Sequence, residues 1–194
     1  MQLRHKNRLI YFQEQSKCTR KYVIPYIEQV LPVAPNLRIL EIGCGEGGNL
    51  KPFLQLGCQC VGVDIDVAQL EKAKQYLSDY SHEEKLTLIA RDIYTVTPDE
   101  IGTFDIIMLR DVIEHIPNQE RFMHYLKDFM HGESIVFLGF PVWCNPFGGH
   151  QQICRNKLLA HMPWLHLFPN ALYKKVLHWG KEKSGTIKGL LEIK

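Results

Sequence analysis

The hydrophobic pattern changes period along the chain. Short aliphatic and β-branched runs alternate with stretches whose apolar residues fall three and four apart, the periods of strands and helices. Five runs predict strands: Arg38 to Gly43, Gln59 to Ile65, Leu86 to Ile93, Phe104 to Arg110 and Ser134 to Phe140. Ahead of them, residues 8–31 predict helix, with Leu9, Phe12, Ile24, Ile27 and Leu31 on the apolar face and Pro25 dividing it in two. Helices are expected from about Asn49 to Leu56, ended by Gly57, and from about Val67 to Ser78, with Leu70, Ala73 and Leu77 on one face. Thr97-Pro98-Asp99-Glu100 has the spacing of a capping box with proline in the first turn. Asn118 predicts the cap of a helix from Gln119 to about Met130.

Strands alternating with helices at this spacing predict an α/β chain with a doubly wound, mostly parallel sheet. Ligands of such sheets sit at the carboxyl ends of the strands. The residues just after each strand are therefore the candidates for chemistry.

After the first strand comes Glu41-Ile42-Gly43-Cys44-Gly45-Glu46-Gly47-Gly48-Asn49. Glycines there permit positive φ and a close approach of backbone to ligand, and the helix start beyond them presents free N–H groups. Two patterns overlap: Gly43, Gly45 and Gly48 give G-x-G-x-x-G, while Glu41, Gly43, Gly45 and Gly47 give E-x-G-x-G-x-G. After the second strand, Asp64 lies 21 residues beyond Gly43 (64 − 43), where a carboxylate can accept both ribose hydroxyls of a nucleoside. After the third, Asp92 can take an adenine amino group while the Ile93 N–H meets a ring nitrogen. The fourth runs into Arg110-Asp111-Val112-Ile113-Glu114-His115-Ile116-Pro117.

A strand beginning Phe104-Asp105 and leading into Glu114-His115-Ile116-Pro117, behind the glycine turn and the two acids, resembles the class I S-adenosylmethionine-dependent methyltransferases over roughly 38–140. The resemblance implies S-adenosyl-L-methionine as cofactor. It assigns Glu41, Gly43, Cys44, Gly45 and Gly47 to the methionine moiety, Asp64 to the ribose, Ile65 to the adenine face, and Asp92 and Ile93 to the adenine edge. Arg110 falls near the methionine part or the methyl group, where many relatives carry a small residue. The activity implied is methyl transfer to an oxygen or nitrogen of a small molecule, lipid or glycan. A hydroxyl acceptor needs a base, for which His150 and His115 are the candidates, although in the related stretch the histidine more commonly packs in the helix junction below the site. A cofactor-binding relative without turnover is a second reading. A nicotinamide-dependent oxidoreductase is a third, permitted by G-x-G-x-x-G and disfavoured by Glu41 and the fourth strand. No N/D-P-P-Y/F stretch follows that strand, so nucleic acid is disfavoured as acceptor.

The organisation expected is one domain over 1–194: an N-terminal helical lid (1–36) carrying Tyr11, Phe12 and Arg20-Lys21, a cofactor core (37–140) and a substrate-side segment (141–194). The related sheet has seven strands, yet only 54 residues follow Phe140 (194 − 140), and among them only Thr186 to Lys194 could be a strand. A shortened chain with a sheet below the full set is the expectation. The fifth strand would then be an edge for the tail or a second copy, as in a homodimer, to cover. Trp143 to Gln151 and Met162 to Phe168 are the expected substrate face, aromatics suiting a sugar or a lipid tail.

Composition adds limits. Apolar content of 45% and charged content of 23% are those of an ordinary globular protein. The longest apolar stretch, Ile135 to Trp143, is far too short to span a bilayer, and the charged start has no apolar run of a signal peptide, so a cytoplasmic setting is expected. Six cysteines without a C-x-x-C pair predict free thiols and no metal site. The net charge of +2 hides an asymmetry: Lys+Arg against Asp+Glu is 7 to 2 over 1–38, 8 to 17 over 39–154 and 8 to 2 over 155–194. The basic ends fit solvated surface around a central acidic cofactor site; the sharper alternative is that together they attract an anionic substrate such as a phosphate-bearing glycan, lipid or nucleic acid.

Overall fold

The computed structural model describes residues 7–81 and 85–192. It divides into two compact units, 1–139 and 140–194.

The first unit is built on five parallel strands: β1 (Arg38–Ile42), β2 (Gln59–Asp64), β3 (Leu86–Ala90), β4 (Phe104–Arg110) and β5 (Met130–Gly139). Their order is β3-β2-β1-β4-β5. Alternate residues of the central strands feed two cores. Ile39, Cys60, Ile106 and Met108 pack with Phe12, Phe53, Leu70, Ala73 and Leu77 on one face. Leu40, Ile42, Val61, Val63, Ile107 and Leu109 pack with Phe122, Leu126 and Phe129 on the other. Burial on both faces is why these strands read as continuous apolar runs. The chain reverses its winding between β1 and β4, which opens a crevice at their carboxyl ends.

The helices of this unit are α1 (Arg8–Cys18), α2 (Ile24–Ile27), α3 (Leu50–Gln55), α4 (Val67–Tyr76), α5 (Ser78–Ser81), α6 (Pro98–Ile101) and α7 (Gln119–Leu126). Asn7 caps α1, its side chain accepting from the Leu9 and Ile10 N–H groups. Pro25 does not break the N-terminal helix as expected. A π-helical turn, Thr19–Val23, joins α1 to α2, and the Ile24 N–H reaches back five residues to the Thr19 carbonyl. Pro25 then falls in the first turn of α2, where a missing N–H is tolerated. The capping box at Thr97 and Glu100 forms as read.

Three other boundaries move. β3 stops at Ala90 because Asp92 turns the chain, its carboxylate accepting the Tyr94 N–H at 3.0 Å and capping the 3-10 turn Ile93–Thr95. β5 begins earlier, at Met130, through a register shift opposite Phe104 and Ile106 where the Ser134 hydroxyl donates to the Phe104 carbonyl at 2.6 Å. The candidate strand at Thr186 is a helix, α10 (Ser184–Glu192): Ile187 and Leu190, three apart, are both buried, and Gly189 lies on its open side. Five strands are present among the described residues, short of seven, and β5 has β4 as its one strand neighbour.

The second unit packs α10 with α8 (Lys157–Ala160) and α9 (Asn170–Trp179) around Leu159, Leu165, Tyr173 and Leu177. The Glu182 carboxylate accepts the Arg155 and Asn156 N–H groups, holding the entry to α8. No helix among the described residues is long and apolar enough to cross a membrane.

Candidate functional site

The turn after β1 is held by the sheet. The Gly43 and Cys44 N–H groups both donate to the Val63 carbonyl of β2, at 2.7 and 3.2 Å. Gly43, Gly45 and Gly47 all have positive φ, between 51° and 75°. At Gly43 a Cβ would also lie 2.3 Å from the Val112 side chain, so glycine is required twice over.

Asp64, at the end of β2, closes over this turn. One carboxylate oxygen accepts the Gly45 N–H at 2.7 Å and the other accepts the Asp66 N–H at 2.8 Å. A carboxylate offers about four acceptor positions, so about two remain for a ligand. Ile65 follows directly and is 75% exposed, a large apolar side chain set out in solvent beside the turn. Asp92 is exposed at the end of β3, while the Ile93 side chain is buried in the core, so only the backbone of Ile93 can meet a ligand there.

Glu41 shares the parity of Ile39 and is 1% exposed. One of its oxygens accepts from the Asn49 amide at 2.7 Å, and the other has no partner among the described residues. The Asn49 carbonyl in turn accepts from Arg110 at 2.7 Å and from the Thr19 hydroxyl at 2.8 Å. Arg110 also donates to Thr19 at 3.1 Å and lies 3.7 Å from the Cys18 sulfur. Burial pushes the Glu41 carboxyl up to about 8, against the pull of the Asn49 hydrogen bond and the Arg110 charge and with a push from Asp64. Arg110 thus turns toward the N-terminal helical segment.

Glu46, also 1% exposed, pairs with Arg8 at the start of α1 and with Lys72 at 3.7 Å, while Arg8 donates to Gln69 at 3.0 Å. Between α1 and the end of β4 lies a recess of about 190 Å³ lined by Tyr11, Glu14, Gln15, Cys18, Arg110 and Asp111. Phe12 is in the core, its ring 4.9 Å from that of Tyr76.

The two candidate bases fall in different units. His115 is exposed in the 3-10 turn Ile113–His115 beyond β4. His150, in the second unit, has φ 56° and caps the turn Gln151–Ile153. In that unit the two stretches expected to face substrate build one another: the Trp164 N–H groups donate to the Pro146 and Cys144 carbonyls, and Gln151 donates to Pro146 and Met162.

A model of the family described as a methyltransferase domain matches residues 12–177. The chain belongs to the S-adenosylmethionine-dependent methyltransferases. Among its relatives is a ubiquinone biosynthesis O-methyltransferase of Rhodopseudomonas palustris, 38% identical over 105 residues, covering 53% of this chain and 39% of that protein. The chain therefore spans about two fifths of the length of such relatives. Its sheet and helices resemble those of PKMT2 from Rickettsia typhi in complex with AdoHcy (25% identity, TM-score 0.55, 72% of this chain and 27% of that one). They also resemble a SAM dependent methyltransferase from Aquifex aeolicus (12% identity, TM-score 0.56, 69% and 71%).

Sequence reasoning passed over Asn49, Thr19 and the Arg8–Glu46 pair of this methyltransferase domain. The signal available was the pair of glutamates bracketing an otherwise apolar glycine turn. Buried carboxylates need partners, and the amide at the first helical turn and the cations of α1 were the nearest.

Proposed function

We propose that this domain transfers a methyl group from S-adenosyl-L-methionine to an oxygen or nitrogen of a small molecule, lipid or glycan. One observation carries the reading: the buried Glu41 oxygen without a partner, the three positive-φ glycines and the Asp64 carboxylate meet at the switch point of the sheet. When bound, the cofactor supplies a methyl group already activated by its sulfonium. The residues have the rest to do. Gly43 to Gly47 and Glu41 hold the amino-acid end, Asp64 uses its remaining acceptor positions on the ribose, and exposed Ile65 supports the adenine face. Asp92 and the Ile93 backbone take the adenine edge. Helix α1 covers the β4 end, excluding water and aligning the acceptor. The name of the Rhodopseudomonas palustris relative favours oxygen as acceptor atom, and His150 or His115 would then take the hydroxyl proton. A second copy covering the edge of β5, and a reducing cytoplasmic setting for buried free thiols such as Cys44 and Cys60, belong to the same reading.

The test is titration calorimetry with S-adenosylhomocysteine, followed by an acceptor screen that detects its formation from S-adenosylmethionine. Binding with turnover on a hydroxylated acceptor is expected. Absence of binding ends the proposal, and binding without turnover on any acceptor replaces it with a non-catalytic relative.

A further inference from the structure

Two recesses flank helix α1. Tyr11, Glu14, Gln15 and Cys18 line the recess beside Arg110. Gln13, Ser16, Lys17 and, in the π turn, Arg20 line a second and larger recess of about 310 Å³, completed by Lys51 of α3. Its floor is the Phe12 ring, with the Lys51 ammonium 5.3 Å from the ring centroid. Arg20 is steadied by donating to the Gln55 side chain.

Three cations line this recess and no carboxylate does. Among the described residues, none of Lys17, Arg20 and Lys51 has a carboxylate within salt-bridge distance, in contrast to Arg8 and Lys72, which both serve Glu46. Like charges gathered without counter-charge raise the local potential, and an anion relieves it. The Ser16 hydroxyl and the Gln13 amide add neutral donors. Several positive charges with hydroxyl and amide donors around a small open recess match a tetrahedral, multiply charged oxyanion.

We propose that Lys17, Arg20 and Lys51 bind a phosphate-class anion at this recess, a site separate from the glycine turn. Lys17 and Arg20 belong to the helix that also carries Cys18 and Thr19. Lys51 belongs to the helix that leaves the glycine turn. A bound anion ties the two helices together and so braces α1 where Thr19 meets Arg110. The phosphate group can come from a free phosphorylated molecule or from the headgroup of an acidic lipid.

The experiment uses the full chain with inorganic pyrophosphate, phosphatidylglycerol vesicles and, for comparison, neutral phosphatidylcholine vesicles. Salt-sensitive binding is expected, because the contacts are exposed charges. Lys17→Glu, Arg20→Glu and Lys51→Glu together should weaken it by at least about 100-fold, at roughly a factor of five per cation lost before the added negative charges are counted. The milder pair Lys17→Gln and Lys51→Gln should weaken it about 30-fold and keeps the test open should the triple variant fold poorly. Affinity for S-adenosylhomocysteine should stay unchanged in the glutamine pair, which leaves Arg20 in place and separates failure here from failure of the methyltransferase reading. Binding of pyrophosphate without preference for acidic vesicles assigns a free phosphorylated ligand. Preference for acidic vesicles without pyrophosphate binding assigns a lipid headgroup. Binding of neither probe, or undiminished binding by the folded glutamine variant, overturns the site.

Discussion

Arg110 and Glu41 are joined through a single amide. Asn49 donates to Glu41 and accepts from Arg110, each at 2.7 Å, so the half-buried cation at the end of β4 and the buried acid of β1 are held in one hydrogen-bonded chain that also takes in Thr19. The N-terminal helical segment is thereby fastened to β1 and the helix that follows the glycine turn by hydrogen bonds, beyond the apolar contact of Phe12.

Asn49→Leu keeps the volume and removes both links. It leaves the Glu41 carboxyl and the Arg110 guanidinium each short of a partner, and the loss should be about 2–4 kcal/mol of unfolding free energy. Urea unfolding with an unchanged m-value is the measurement. A loss under about 0.5 kcal/mol would mean the network is decorative.

Glu41 sets a pH dependence. Its ordinary value is 4.5 and burial holds it at about 8 in the folded chain. Between those values the folded state keeps a proton that the unfolded chain has released. The stability this group contributes is therefore whole below pH 4.5 and is lost as pH rises to about 8. The loss is on the order of 5 kcal/mol at most. Glu41→Gln should flatten the fall of the urea midpoint across this window, and a parallel fall in both proteins would assign the dependence elsewhere.

Asp64→Ala should weaken S-adenosylhomocysteine binding by roughly 2–4 kcal/mol, the worth of two charge-assisted hydrogen bonds. Calorimetry decides it, and equal affinity would remove Asp64 from the ribose. Because Asp64 also accepts the Gly45 N–H, hydrogen exchange at Gly45 should speed up in the same variant even without ligand.

Arg8→Ala removes a partner of buried Glu46 and of Gln69 together. The first turns of α1 should then exchange amide hydrogens faster, and saturating S-adenosylhomocysteine should restore part of the protection over residues 8–27. Identical exchange with and without the ligand, in parent and variant, would mean that α1 is a fixed wall.

His150→Ala and His115→Ala compete for one role. The base should cost roughly 10²–10⁴-fold in turnover and leave cofactor affinity intact, and the other should cost little. Full activity in both variants would point to an acceptor that arrives already deprotonated.

The sheet was legible because both of its faces are buried: β4 runs over the residues its apolar stretch marks, and the capping box at Thr97 forms where its spacing puts it. The glycine turn was legible for the opposite reason, since only glycine tolerates its backbone. What escaped depends on tertiary partners. Pro25 reads locally as a breaker, and a π turn before it makes it harmless. Thr186 and Ile187 read locally as strand formers, and the packing of Ile187 and Leu190 against a second core makes them helical. Asn49 reads as a helix start, because nothing in a linear pattern says that Arg110 lies across from it.

β5 has consequences for how this protein fails. Ser134 to Gly139 is Ser-Ile-Val-Phe-Leu-Gly, an uncharged, proline-free β-forming segment in a strand with one strand neighbour. Once loosened by heat, such a segment recruits a copy of itself from another molecule more readily than it finds its way back. Thermal inactivation should therefore be governed by collision as well as by temperature. A dilute sample will recover on cooling what a concentrated one loses to precipitate, and a charge placed on the solvent side of that strand will lengthen the shelf life of the protein without touching its chemistry.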